Sequence, residues 1–245
     1  MVRMGVVIVT GGSRGIGAAI CRAVAKAGHQ VVVNYVGNAA AAEAVVKETG
    51  GIAVQANVSD EADVRRLFDK AAELGPVTGL VCNAGITGNT IARLDEQEVQ
   101  TVRDVLEVNV VGTFLCDREA VRRMSTKHRG SGGVIVNISS TAAHRGSPGE
   151  WVHYAASKAA VETLTKGLAL EVANEGIRVN CVAPGLVETE MHEAAGAPDR
   201  VARTAPLIPM KRGGQPEEIA DGVMWLLSDA SSFVTGSVVT ISGGR

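Results

Sequence analysis

Apolar positions along this chain fall into two alternating rhythms. Val6-Val7-Ile8-Val9 is a short β-branched run closed by Thr10-Gly11-Gly12, the pattern of a strand buried on both faces. Over residues 15–28 the spacing changes to Ile16, Ile20, Val24 and Ala27, a helical stripe stopped by Gly28. Val31-Val32-Val33 predicts a second strand, and the Ala-rich stretch 38–49, ended by Gly50-Gly51, a second helix. The alternation then predicts a strand near 52–56, a helix over 60–73, a strand near 79–82 and one long helix over roughly 95–126. Strand 134–138, helix 152–174, strand 177–182, helix 216–228 and strand 237–241 complete the series. Strands alternating with helices imply βαβ units and a parallel sheet covered on both faces. Right-handed crossovers then predict one doubly wound α/β domain over residues 1–245, with about seven strands. The longest irregular segment, about 184–212, carries Pro184, Pro198, Pro206 and Pro209. It leaves the carboxyl end of strand 177–182, the edge of such a sheet where ligands bind, and is expected to be a substrate loop.

Composition narrows the function classes. The net charge of −2 offers no basic surface for nucleic acid or an anionic membrane, and 3% aromatic content offers no base-stacking platform. No apolar run approaches the roughly 18 residues of a membrane span, and the opening Met1-Val2-Arg3-Met4-Gly5 is too short for a secretory leader. Cys21, Cys82, Cys116 and Cys181 are widely spaced in mostly apolar runs with no histidine beside them. They read as reduced core residues, so neither a metal site nor a redox pair is expected and the compartment is expected to be cytoplasmic.

The candidate chemistry begins at Thr10-Gly11-Gly12-Ser13-Arg14-Gly15-Ile16-Gly17, between the first strand and the first helix. Gly11 suits a tight turn, Gly15 the close approach of a phosphate, and Gly17 close helix–strand packing. The free N–H groups that open the helix then face a pyrophosphate. A P-loop is excluded because Ala18-Ala19 stand where Lys and Ser/Thr are required. Gly11-x-Ser13-x-Gly15 also fits a hydrolase nucleophile elbow, which leaves a serine hydrolase using Ser13 as a remote alternative. Its weakness is the downstream partner, since the last histidine is His192 in the Pro-rich segment.

Thr10-Gly11-x-x-x-Gly15-x-Gly17, Asn83-Ala84-Gly85, Asn109, Ser140, Tyr154-x-x-x-Lys158 and Pro184-Gly185 follow one another in the order seen in classical short-chain dehydrogenases/reductases. The chain resembles that family over essentially its whole length, and within it the 3-oxoacyl-carrier-protein-reductase-like branch. The resemblance implies a Rossmann fold and hydride transfer between a nicotinamide cofactor and a carbonyl or secondary alcohol. It implies a catalytic set of Asn109, Ser140, Tyr154 and Lys158. Tyr154 and Lys158, four apart on a helix, share a face, and a nearby ammonium is expected to favour the phenolate. That would make Tyr154 a general acid in reduction and a base in oxidation. By resemblance Lys158 also holds the ribose hydroxyls, and Asn109 bends its helix and holds a water linked to Lys158. Ser140 takes the substrate-orienting position; the gap to Tyr154 is one residue longer than in close relatives, so Ser139 and Thr141 remain the alternative hydroxyls.

The same resemblance implies cofactor contacts from Gly11, Ser13, Arg14, Gly15, Ile16, Gly17, Asn34, Tyr35, Asn57, Val58, Asn83, Ala84, Gly85, Tyr154, Lys158, Pro184, Gly185, Val187 and Thr189. Asn57 replaces the family's aspartate and is expected to accept from the adenine amine through its carbonyl. At the end of the second strand the family's acid position falls on Tyr35, and Arg14 is placed to pair with a phosphate. NADP(H) is therefore the preferred cofactor, with NAD(H) the other option. Residues 86–95, 142–153 and 187–212 are expected to line the substrate cleft, with His144, Arg145, Trp151, His153 and His192 among them. The resemblance implies a small-molecule carbonyl or alcohol substrate and a homotetramer. A non-catalytic NADP-binding sensor or scaffold is the alternative from another class.

Overall fold

The computed structural model describes residues 5–88 and 91–245, without the side chain of His192. The readings on Met1 to Met4, on positions 89 and 90 of the cleft stretch, and on the His192 side chain lie outside the described residues.

Seven strands form one parallel sheet: β1 (Val6–Val9), β2 (Gln30–Tyr35), β3 (Ile52–Gln55), β4 (Val77–Cys82), β5 (Gly133–Ile138), β6 (Ile177–Pro184) and β7 (Val238–Ile241). Their spatial order is β3-β2-β1-β4-β5-β6-β7, every pair parallel. The order reverses between β1 and β4, the switch point of a doubly wound sheet, and a crevice opens there at the carboxyl ends. All four residues of β1 are buried, as a strand covered on both faces requires.

Helices α1 (Gly15–Lys26), α2 (Ala39–Thr49) and α3 (Glu61–Ala72) follow the first three strands. In α3, Val64, Leu67, Phe68 and Ala71 face the core, and Asp60 caps the start by accepting from the Asp63 amide at 2.9 Å. Full burial of Leu67 and Phe68 contributes about 1.5–3 kcal/mol each. One core lies on this side of the sheet, under α3, and a second on the other, where Ile20 and Val24 of α1 meet Ile219 and Val223 of α10 (Pro216–Leu227).

The long helix expected over 95–126 is broken. A 3₁₀ turn at Leu94–Glu96 precedes α4 (Val99–Leu106), a π-helical turn covers Glu107–Val111, and α5 (Gly112–Met124) completes the run. The insertion falls around Asn109, where the resemblance implied a local bend. Two further helices, α6 (Ala142–Arg145) and α7 (Val152–Val172), flank the end of β5. The irregular segment starts one residue later than expected, because β6 runs through Pro184, and it contains the short helices α8 (Met191–Ala194) and α9 (Arg200–Thr204).

Candidate active site

The glycine turn is built by backbone and by amides from distant strands. Gly11 and Gly15 have φ of 61° and 51°, a region that only glycine enters without strain. At Gly17 a Cβ would lie 2.2 Å from the Gly11 carbonyl oxygen, so α1 packs against the turn with no room for a side chain. Asn34 lies inside: the Gly11 amide donates to its Oδ1 at 3.2 Å, and its Nδ2 donates to the Ala56 carbonyl at 2.9 Å. Its side chain therefore fastens the turn to β3. Asn83 acts likewise, its Nδ2 donating to the carbonyls of Thr10 and Gly11 at 2.9 and 3.0 Å. Thr10, absent from the candidate set, completes the joint, since its hydroxyl accepts from the amides of Asn83 and Ala84 at 3.0 Å each. The only signal for it in the sequence was its place at the head of the glycine motif.

This cradle fits a dinucleotide. Helix α1 opens with no side chain capping its first amides, which leaves them for a phosphate. Thr189 reaches the turn from the far side, its Cγ2 3.3 Å from where a Gly15 Cβ would stand. Ser13, Gly15 and Ile16 are half-buried, and Arg14 is exposed with no carboxylate paired to it among the described residues. Tyr35 is half-buried at the end of β2, followed by exposed Val36, so no acid stands at that strand end.

Asn57 departs from expectation. Its Oδ1 accepts from the Ser59 amide at 3.1 Å and the Ser59 hydroxyl at 2.9 Å. Both lone pairs of that carbonyl are thereby engaged within the Asn57–Ser59 turn. Val58 is buried beside Gly112. On the opposite side of the crevice, Gly185 packs on the Ser242 backbone and Val187 pairs with Gly214.

The four catalytic candidates converge at the ends of β4 and β5. Asn109 is fully buried in the π-helical turn; its Oδ1 accepts from the Ile86 amide at 2.8 Å, and its Nδ2 donates to the Ile86 carbonyl at 2.9 Å and to Ser157 Oγ at 3.0 Å. Ser157 Oγ donates in turn to the Tyr154 carbonyl at 2.7 Å, so Asn109 braces the first turn of α7. Gly85 sits between Asn109 and Lys158, since a Cβ there would stand 3.2 Å from both Asn109 Oδ1 and Lys158 Nζ. Lys158 Nζ donates to the Ile138 carbonyl at 2.8 Å and stands 5.7 Å from the centroid of the Tyr154 ring.

Burial decides the protonation of both groups. It lowers Lys158 to about 8, against opposing contributions from Cys181 and Cys82. It raises Tyr154 above its ordinary value, against the lowering effects of the Ser140 hydroxyl and the Arg200 charge. The expected downward pull of Lys158 on the phenol is not among the causes of its shift, and burial leaves Tyr154 above its ordinary value.

The hydroxyls at the end of β5 are also distinguished. Ser139 is buried, its one hydroxyl proton directed to Glu162 Oε1 at 2.8 Å, with the Lys158 carbonyl 3.2 Å from the same oxygen. Thr141 is buried too. Ser140 is half-buried, accepts from the Ala142 amide at 3.1 Å, and is the hydroxyl whose influence lowers the Tyr154 phenol. His153 is buried with Nε2 2.9 Å from the Thr87 carbonyl, so it holds the 86–88 segment. His144 is exposed and lies against Glu162 at 3.2 Å. Trp151 packs with Tyr154 and Ala195, bringing the irregular segment against the start of α7. No histidine or carboxylate among the described residues bonds the Ser13 hydroxyl, so the hydrolase alternative has no base.

A family model described as "Enoyl-(Acyl carrier protein) reductase" matches residues 11–245. The "Uncharacterized oxidoreductase YgfF" of Escherichia coli is 51% identical, covering 99% of this chain and 100% of that one. The "3-oxoacyl-[acyl-carrier-protein] reductase FabG" of Staphylococcus aureus is 39% identical, covering 97% of this chain and 96% of that one. A solved short-chain type dehydrogenase/reductase from Mycobacterium marinum has a TM-score of 0.91 at 36% identity, covering 99% of this chain and 96% of that one.

Proposed function

Because the chain belongs to the short-chain dehydrogenase/reductase family and is an oxidoreductase of that kind, we propose that it prefers NADP(H) and interconverts a carbonyl and a secondary alcohol with Tyr154 as the acid and base. The observation that carries the reading is the meeting of Tyr154 with Ser140 and Lys158 at the carboxyl edge of the sheet, beside the glycine cradle.

The nicotinamide, when bound, supplies or accepts the hydride. In reduction, Tyr154 would hand its proton to the substrate carbonyl oxygen. A phenol raised by burial is protonated at neutral pH, the form that reduction needs. The Ser140 hydroxyl donates to the oxygen as negative charge develops there. Lys158 holds positive charge behind the phenol and steadies the phenolate left after transfer. Asn109 keeps the segment at Ile86 and the start of α7 in register, so Tyr154 and Lys158 hold their spacing. In oxidation the same groups run in reverse, with Tyr154 taking the alcohol proton.

NADP(H) preference is supported by exposed Arg14 on the glycine turn, which has no carboxylate partner among the described residues, and by Tyr35-Val36 standing where a carboxylate would follow β2. Titration with NADPH and NADH, followed by nicotinamide fluorescence, tests it. NADPH is expected to bind at least about tenfold more tightly. Equal affinities would remove Arg14 from the 2′-phosphate and leave the catalytic reading intact.

We propose a homotetramer as well, in the cytoplasm. Phe233 and Leu170 are almost wholly exposed, Phe114 and Trp225 are also exposed, and all four cysteines are free and buried. Among the described residues no helix is long and apolar enough to cross a membrane.

A further inference from the structure

Two buried N–H donors on the cleft wall have no protein acceptor among the described residues: Trp151 Nε1 and Arg200 Nη1. Burying such donors without an acceptor is costly, more so for a charged group, so their pairing in one place calls for an explanation. They are neighbours. The Arg200 guanidinium carbon lies 4.3 Å from the centroid of the Trp151 ring, and the indole is only 4% exposed. The guanidinium is also held in orientation, because its Nη2 donates to Glu150 Oε2 at 2.8 Å. One end of the fork is thereby used and the other is left over.

The place is the substrate end of the site. Trp151 packs with Tyr154, and Ala195 from the irregular segment joins them. The Arg200 charge is felt by the Tyr154 phenol. The cation count there is in surplus. Arg145 is exposed on α6 with no carboxylate partner among the described residues; burial chiefly lowers Arg245, Arg145 and Arg200 lower it further, and Glu150 opposes them. Two neighbouring N–H donors left without an acceptor, beside a guanidinium charge, match the two oxygens of a carboxylate.

We propose that the substrate carries a carboxylate, received by Arg200 Nη1 and Trp151 Nε1 while its carbonyl meets Tyr154 and Ser140. This rests on the carbonyl reductase reading and adds the substrate class: oxo acids and their hydroxy acid products. Arg145 at the mouth attracts the anion, and Glu150 fixes the fork that grips it.

The test uses matched pairs on the full-length enzyme with NADPH: acetoacetate, levulinate and para-carboxybenzaldehyde, each against its methyl ester. The acid of each pair is expected to show kcat/KM at least about tenfold above its ester. Arg200→Met and Trp151→Phe are each expected to shrink that ratio severalfold, Trp151→Phe keeping the ring that packs on Tyr154. Arg145→Gln, on the exposed helix, is expected to raise KM for the acids more than for the esters. Esters consumed as well as acids, or a ratio that survives both Arg200→Met and Trp151→Phe, would overturn the carboxylate site while the reductase reading stands. No oxidation of either NADPH or NADH with any member of any pair would overturn the reductase reading and this assignment with it.

Discussion

Asp117 on α5 is enclosed, 1% exposed, with Asn137 Nδ2 donating to it at 3.0 Å and Cys82 Sγ beside it at 3.4 Å. Burial pushes its carboxyl up to about 7, against the pull of those two partners. The folded chain therefore holds more protons than the unfolded chain between the ordinary value of 3.8 and about 7, and stability falls as pH rises through that window. Asp117→Asn is expected to raise the melting temperature by several degrees at about pH 8 and to lose that advantage near pH 4, as thermal unfolding across pH would register. At Tyr154 the argument is catalytic. Tyr154→Phe is expected to lower kcat/KM by about 10²–10⁴ with the circular dichroism spectrum retained, and full turnover would sink the role given to the phenol. Tyr154, Lys158 and Asn109 were legible because chain order carries their motif. The roles of Asn34 and Asn57 were not. Asn34 depends on the Ala56 carbonyl and Asn57 on Ser59, and no local pattern announces that a side-chain carbonyl is already occupied.

At the level of elements, the glycine turn and α1 form one rigid joint. Gly17→Ala would drive a Cβ to within 2.2 Å of the Gly11 carbonyl oxygen, so the turn must shift. Such a variant is expected to bind NADPH at least about tenfold more weakly and to melt earlier, which fluorescence titration and calorimetry would establish. The break between α4 and α5 is a second such joint. Asn109→Ala would leave the Ile86 amide and carbonyl without side-chain partners, at a cost of about 1–3 kcal/mol. Urea unfolding would detect a loss of that size. Strands such as β1 and β2 were readable from their β-branched runs Val6–Val9 and Val31-Val32-Val33, since burial on both faces permits no polar alternation there. The interruption near Asn109 was hidden from periodicity because Val105, Val108 and Cys116 keep the stretch apolar on both sides of the extra residue.

Across the whole molecule, exposed aromatic and aliphatic side chains are where the proposed tetramer would make its contacts. Phe233 and Leu170 stand fully or nearly fully in water on the isolated chain. Phe233→Asp with Leu170→Glu is expected to shift the sedimentation coefficient toward smaller species, and an unaltered profile would place the subunit contacts elsewhere. The parallel sheet also sorts the molecule by edge. The cradle, Tyr154 and the irregular segment all lie at the carboxyl ends of strands, while the amino ends begin in turns through Gly28, Gly50 and Gly176, each with positive φ. Change in one edge need not disturb the other. A lineage could exchange the stretch bearing α8 and α9, and with it the compounds it accepts, while the opposite pole continued to assemble the same scaffold. Protein engineers can use the same separation: a graft replacing residues 185–212 would alter diet without rewriting the instructions for folding.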